Sequence, residues 1–206
     1  TRNQPKSTPK HLLTGKELGN DLLEIVKSTK HREYGRLVRD IEVKANEYYR
    51  IINAGSGSFF GRILLRETYN GYKAVVVDEK EDAVDKAISQ STLQSVKISL
   101  IMAILSLKRG AKEVFPAISD AATSSFDAIK MMNYYKETAK TFNQSIIITK
   151  DFLYMKQQAW EFNQEAFSTI EDEIKPYIGS VYIMHVPGHV STELFNDIQV
   201  KIERKY

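Results

Sequence analysis

The chain has 206 residues, 42% hydrophobic and 27% charged, with ten Gly, five Pro, no Cys and a net charge of +3. That composition excludes collagen-like, disordered and disulfide-knotted chains, and supplies enough apolar mass for one core of ordinary depth. The absence of cysteine also excludes disulfides, thiolate metal sites and a cysteine nucleophile, and fits a cytoplasmic setting.

The chain opens on Thr1, and residues 1–11 are polar with Pro5 and Pro9. This reads as a frayed leader and as a piece of something longer. Helical spacing starts near Leu12. Residues 1–50 hold eleven Lys and Arg against seven Asp and Glu, so the basic excess lies at this end. Lys27, Lys30, Arg32, Arg36 and Arg39 could form a face for a phosphate backbone, and Glu24, Glu33, Asp40 and Glu42 make a solvated helix of mixed charge the alternative. From Tyr34 two apolar sets recur seven residues apart, Tyr34, Ile41, Tyr48 and Val38, Ala45, Ile52. The pattern suits the root of a coiled coil, and equally an amphipathic helix packed on a sheet.

Asn53-Ala54-Gly55-Ser56-Gly57-Ser58 stops this helix, and 60–67 and 72–78 read as strands joined at Asn70-Gly71. After an acidic loop over 78–85, residues 92–108 form the most hydrophobic helix, expected at the centre of the fold. Its longest nearly unbroken apolar run, 98–107, is short for a membrane core of about 30 Å, so no span is expected. An apolar stretch over 114–118 ends on Ser119-Asp120, a helix follows from 123–127 to about Lys140, and 145–149 is a short buried strand. Strand, helix and strand in this order predict a parallel crossover within a sheet covered on both faces. A long helix over about 153–174, a strand over 180–185 and a last helix over 192–204 complete the prediction.

Parallel sheets bind ligands at the carboxyl ends of their strands, which makes Asp120 the first candidate, either as a Mg2+ ligand or as a loop cap. Ser91 and Gln94 have capping-box spacing, and the helix start they mark offers N–H groups to an anion. A capped core helix without ligand explains that segment as well. His185 and His189 are four apart, but Pro187-Gly188 prevents a shared helical face and no Cys or nearby carboxylate completes a zinc shell. Tyr154, Trp160, Phe162 and Phe167 fall in the predicted 153–174 helix, where packing competes with base stacking as their role.

Asp120-Ala121-Ala122-Thr123-Ser124-Ser125-Phe126-Asp127 resembles the Walker B and D-loop run of ABC-type ATPases, Asp-Glu-Pro-Thr-Ser-x-Leu-Asp. Ile88-Ser89-Gln90-Ser91-Thr92-Leu93-Gln94 resembles the signature Leu-Ser-Gly-Gly-Glu-x-Gln. Ile146-Ile147-Ile148-Thr149 before Lys150-Asp151 is similar to the strand preceding the family's switch His. The resemblance covers roughly residues 40–152 and is to the SMC-like branch with coiled-coil insertions, including RecN, DndD and the Lamassu anti-phage ATPases.

The resemblance implies an α/β fold, the C-terminal lobe of a P-loop NTPase head of ABC type with a mostly parallel sheet and flanking helices. Residues 1–52 would be leader and coiled-coil root, and 53–206 the lobe. It implies ATP and Mg2+, with Asp120 holding Mg2+ through water. Ser89, Ser91 and Gln94 would meet ATP held by an opposing head, Asp127 would sit at the dimer seam, and Lys150 would lie near the γ-phosphate. The implied partners are a Walker A lobe of the same protein, a second and identical head, DNA and an effector subunit, with no membrane.

Gln90 and Ser91 replace the signature glycines, Lys150 the switch His, and Ala121 the carboxylate that positions the attacking water. Hydrolysis is therefore slow, served by another residue, or engineered out at Ala121. No Gly-x-x-x-x-Gly-Lys-Ser/Thr loop occurs, and Gly55-Ser56-Gly57-Ser58-Phe59-Phe60-Gly61-Arg62 lacks its spacing and its Lys. A non-hydrolysing scaffold that dimerises or holds partner subunits is the alternative, and an unrelated α/β domain a third.

Overall fold

The computed structural model describes residues 10–57, 61–78, 80–84, 88–107, 116–156, 159–185 and 201–204. In chain order these form α1 (Lys10–Asn53), β1 (Arg62–Thr68), β2 (Gly71–Val77), α2 (Gln90–Leu107), β3 (Ala117–Asp120), α3 (Ala128–Thr141) and β4 (Ser145–Ile148). There follow β5 (Leu153–Lys156), β6 (Ala159–Phe162), α4 (Gln164–Ile174) with a 3-10 turn Lys175–Tyr177, β7 (Tyr182–His185) and β8 (Lys201–Arg204).

α1 runs 44 residues, about 66 Å at 1.5 Å per residue. Residues 17–34 are exposed, and core contact starts at Ile41 and deepens through Ala45, Tyr48, Tyr49 and Ile52. The predicted seam is thus an ordinary packed helix face over 41–52. Tyr34, at its start, is half exposed and rests on the Tyr72 ring at 5.8 Å. At 100° per residue, Arg32, Arg36 and Arg39 lie opposite that face, whereas Lys27 and Lys30 lie on its side. The five basic residues therefore do not share one face, and Lys27 is bridged to Glu24 at 3.2 Å.

Polar side chains fix the end of α1 to its neighbours. Asn46 accepts from Ile63 N–H at 2.8 Å and donates to Ile63 C=O at 2.8 Å, while Glu42 accepts from Leu65 N–H at 2.7 Å. Asn133 of α3 donates to the carbonyls of Ile52 and Ala54 at 3.2 and 2.9 Å, which the helix end cannot pair internally. Asn53, buried, donates to Tyr49 C=O at 2.7 Å and accepts from Ser95 Oγ at 3.4 Å.

β1 and β2 pair antiparallel from Arg62↔Val77 to Thr68↔Gly71. The turn residues are therefore Tyr69 and Asn70, one position earlier than Asn70-Gly71. α2 is the core helix expected, burying Thr92, Ser95, Val96, Ile98, Ser99, Met102 and Ala103. By length and composition its 18 residues would also suit a membrane span. Here that inner face packs in the core, while Leu93, Ile101, Ile104, Leu105 and Leu107 are exposed.

β3 and β4 pair in parallel, Ala117↔Ser145 through Asp120↔Ile148, with α3 as the crossover. The sheet is not covered on both faces as expected: Ile118 is 67% exposed, Ile146 48% and Ile148 39%. Among the described residues the remaining strand pairs, β5–β6 and β7–β8, are antiparallel.

The predicted 153–174 helix is instead the hairpin β5–β6 followed by α4. Tyr154, Trp160 and Phe162 favour strands, and Asn163 caps the later helix by accepting from Ala166 N–H at 2.9 Å. Phe162 and Phe167 pack across that junction as tilted rings with centroids 5.5 Å apart. The end of the predicted 192–204 helix is strand β8, whereas 192–200 lie outside the described residues, as do His189, Phe60 and Val114-Phe115.

Two consequences follow for stability. Gly61 has φ +72°, and a Cβ there would stand 2.2 Å from Val77 C=O. Gly61→Ala should cost at least about 2 kcal/mol in urea unfolding; a loss under about 0.5 kcal/mol would contradict this packing. Burial pushes the phenols of Tyr49 and Tyr135 up to about 12, whereas unfolded they titrate near pH 10. The unfolded chain then releases protons that the fold retains, so stability is full below about pH 10 and falls as pH rises through about 12. Tyr49→Phe should flatten part of that alkaline loss, read from urea midpoints between pH 8 and 12. An unchanged pH profile in the variant would show that Tyr49 is not held protonated.

Candidate functional site

The three quoted segments meet at the carboxyl end of the parallel pair. Asp120 ends β3 and is exposed. Ala121 follows with φ +48°, its N–H donating to Ile148 C=O at 2.8 Å, which bends the chain away from the strand. The loop over 121–127 then closes on Thr123, 1% exposed. Asp127 begins α3, its carboxylate accepting from Lys130 N–H at 2.9 Å, and is itself exposed.

This loop is tied to the end of β4. The Asp151 carboxylate accepts from Thr149 Oγ1 at 2.6 Å and from Thr123 Oγ1, and Asp151 N–H donates to Thr149 Oγ1 at 3.1 Å. Lys150, beside it, is exposed, and its carbonyl accepts from Leu153 N–H at 2.9 Å. Asp151 thus ties both loops through one carboxylate oxygen, while Asp120 and Lys150 face solvent.

The start of α2 joins the same edge. Ser89, not Ser91, is its cap: Ser89 Oγ accepts from Thr92 N–H at 3.1 Å and lies 2.9 Å from Thr92 Oγ1, and Ser89 C=O accepts from Leu93 N–H at 3.0 Å. The capping box expected from Ser91 and Gln94 does not form, because α2 begins two residues earlier than that spacing assumes. Gln94 instead donates to Ala122 C=O at 3.3 Å. Ser91 Oγ accepts from Lys130 Nζ at 2.9 Å, and Ser91 C=O accepts from Ser95 Oγ at 3.0 Å.

Lys130 is 0% exposed. Burial pushes its ammonium below the ordinary lysine range, with the Asp127 carboxylate pulling the other way. A cation in the first turn of α3 also opposes the helix dipole. That misplacement is a signal the sequence carried, since Lys130 follows Asp127 by three. Asp151 had no such signal beyond its place after Lys150.

Among the described residues no group of three or more His, Asp or Glu side chains gathers as a metal shell. Asp120 alone offers a free carboxylate at the strand end, a donor set that fits a Mg2+ held mainly by water and by another molecule's phosphates.

No protein-family model and no curated protein matches the chain. Solved structures do. The Smc head domain of Pyrococcus furiosus, with an extended coiled coil and bound to the C-terminal domain of ScpA, matches with TM-score 0.62 and 15% identity over 97% of this chain and 43% of that one. The Smc head of Pyrococcus yayanosii, with a coiled coil and joint, matches with TM-score 0.62 and 13% identity over 94% and 32%. The long α1, the core helix α2 and the β3–α3–β4 crossover therefore build a fold like that of an Smc head, and this chain spans less than half the length of either of these two heads.

Proposed function

We propose that the chain is the C-terminal lobe of an SMC-like head that pairs with a second head over ATP and Mg2+, completed by a lobe carrying the Walker A loop. The observation that carries this reading is the junction of α2 with the loop after Asp120, through Gln94–Ala122 and Lys130–Ser91. That junction sets the signature-like helix start and the Walker B-like strand end at one edge. Asp120 would stand in the water shell of Mg2+, Ser89 and Ser91 at the γ-phosphate of ATP held by the facing head, Asp127 at the seam, and Lys150 beside the γ-phosphate.

The bare isoleucines of β3 and β4 and the outer face of α2 support a second lobe, because contiguous exposed apolar surface marks contact with more protein. Leu18, Leu22 and Ile25 repeat along the same side of α1 as Arg32, Arg36 and Arg39, and are exposed. We read the leucine–isoleucine seam as the coiled-coil root, and the arginines as the patch that meets DNA in repair or anti-phage defence, with an effector subunit reading the ATP state.

A non-hydrolysing scaffold is the second reading. Ala121 favours it, since no carboxylate follows Asp120, and Asp151 is engaged by two threonines. ATP turnover of the complete head separates the two: turnover abolished by Asp120→Asn supports the ATPase, and turnover insensitive to it supports the scaffold.

Ser89→Asp tests the pairing itself. Aspartate is as good a cap as serine, so the melting temperature should hold. Its charge would oppose a phosphate, so ATP-dependent pairing of complete heads should weaken at least about tenfold by sedimentation. Unchanged pairing would remove the start of α2 from the nucleotide site.

A further inference from the structure

The Lys130 ammonium is fully buried, yet among the described residues it has one hydrogen-bond partner, Ser91 Oγ at 2.9 Å. An ammonium has three donors, and a buried one is retained against cost. Packing alone does not explain it, because an apolar side chain of similar volume would fill the space without a charge to desolvate. The neighbouring carboxylate, Asp127, spends an oxygen on the Lys130 N–H and forms no ion pair with the ammonium.

Ser91 shows what the charge does. A serine hydroxyl has two lone pairs and one proton. Lys130 occupies a lone pair, which leaves the proton to point elsewhere, and among the described residues nothing accepts it. Ser91 is partly exposed at the start of α2, whereas the hydroxyl of Ser89 is engaged in the cap. Ser91 therefore offers an incoming anion a free donor on an oxygen already bonded to a positive charge.

We propose that Lys130 is the positioning residue of the phosphate site: it fixes and polarises the Ser91 hydroxyl toward the terminal phosphate of a nucleotide on the facing head, and places positive charge behind that contact. This rests on the reading of α2 as the signature helix. It assigns the work of the missing signature glycines to a side chain from α3, so that the α2 start and the first turn of α3 act as one anion-binding unit.

The test compares Ser91→Ala, Lys130→Met and the double variant in the complete head, with the ATP concentration for half-maximal pairing and the melting temperature as readouts. Lys130→Met should raise that concentration about tenfold or more, with the melting temperature unchanged or raised. Ser91→Ala should do the same, and the double variant should be no worse than Ser91→Ala, because Lys130 acts through Ser91. If Ser91→Ala pairs normally, the signature reading itself fails. If Ser91→Ala is impaired while Lys130→Met pairs normally, or if the two effects multiply, the signature reading stands and the role of Lys130 is overturned. Lys130→Gln keeps a donor without charge and should recover part of the loss. Should Lys130→Met and Lys130→Gln both melt early, with pairing lost only in proportion to the folded fraction, Lys130 is a packing residue and the proposal fails.

Discussion

The last three turns of α1 are the member against which everything else is placed. Residues four apart on a helix rise about 6 Å, and residues two apart on a strand about 6.6 Å. Glu42 and Asn46 therefore match the backbone groups of Leu65 and Ile63 almost as another strand would. The outer edge of β1 is paired by side chains of a helix, which also protects it from pairing with another chain. With Asn133 closing the helix end and Ser95 reaching Asn53, the hairpin, α2 and α3 all take their positions from one helix. A tilt of α1 would be felt at each of them.

That arrangement places the start of α2 beside the loop after β3 without direct contact between the acidic strand end and the serines. The connection is indirect and polar: Gln94 to a loop carbonyl, Lys130 to Ser91, and Asp151 across to the two threonines. Such networks have a high cost when broken, because each buried group left unpaired carries its full desolvation penalty. They make the edge stiff while leaving Asp120, Asp127, Lys150 and Ser89 in solvent. A surface of this kind suits a ligand that arrives on another molecule.

Much of the fold was legible because its elements carry strong local signals. The hairpin follows from two strand-like stretches on either side of Asn70-Gly71, the core helix from its apolar density, and the crossover from strand, helix and strand in order. The errors have physical causes. Tyr154, Trp160 and Phe162 stand six and two residues apart, the alternation of a strand, so the single helix expected over 153–174 gives way to the hairpin β5–β6 followed by α4. The 145–149 strand is expected to be buried, but a strand face is covered only where another layer packs on it, and Ile146 and Ile148 remain exposed. The residues of the site follow from motif order, whereas Lys130 carries only the hint of a cation in a helix's first turn and Asp151 none, because long-range side-chain pairing leaves no periodicity to read.

The measurement that bears most directly on the account is the position of the terminal phosphate in paired, nucleotide-bound complete heads. The account predicts that phosphate within hydrogen-bonding distance of Ser91 Oγ of one lobe, with Mg2+ and its water shell at the Asp120 of the other. A phosphate held far from Ser91, or heads that pair through the bare face of β3 and β4 with α2 turned away, would contradict it.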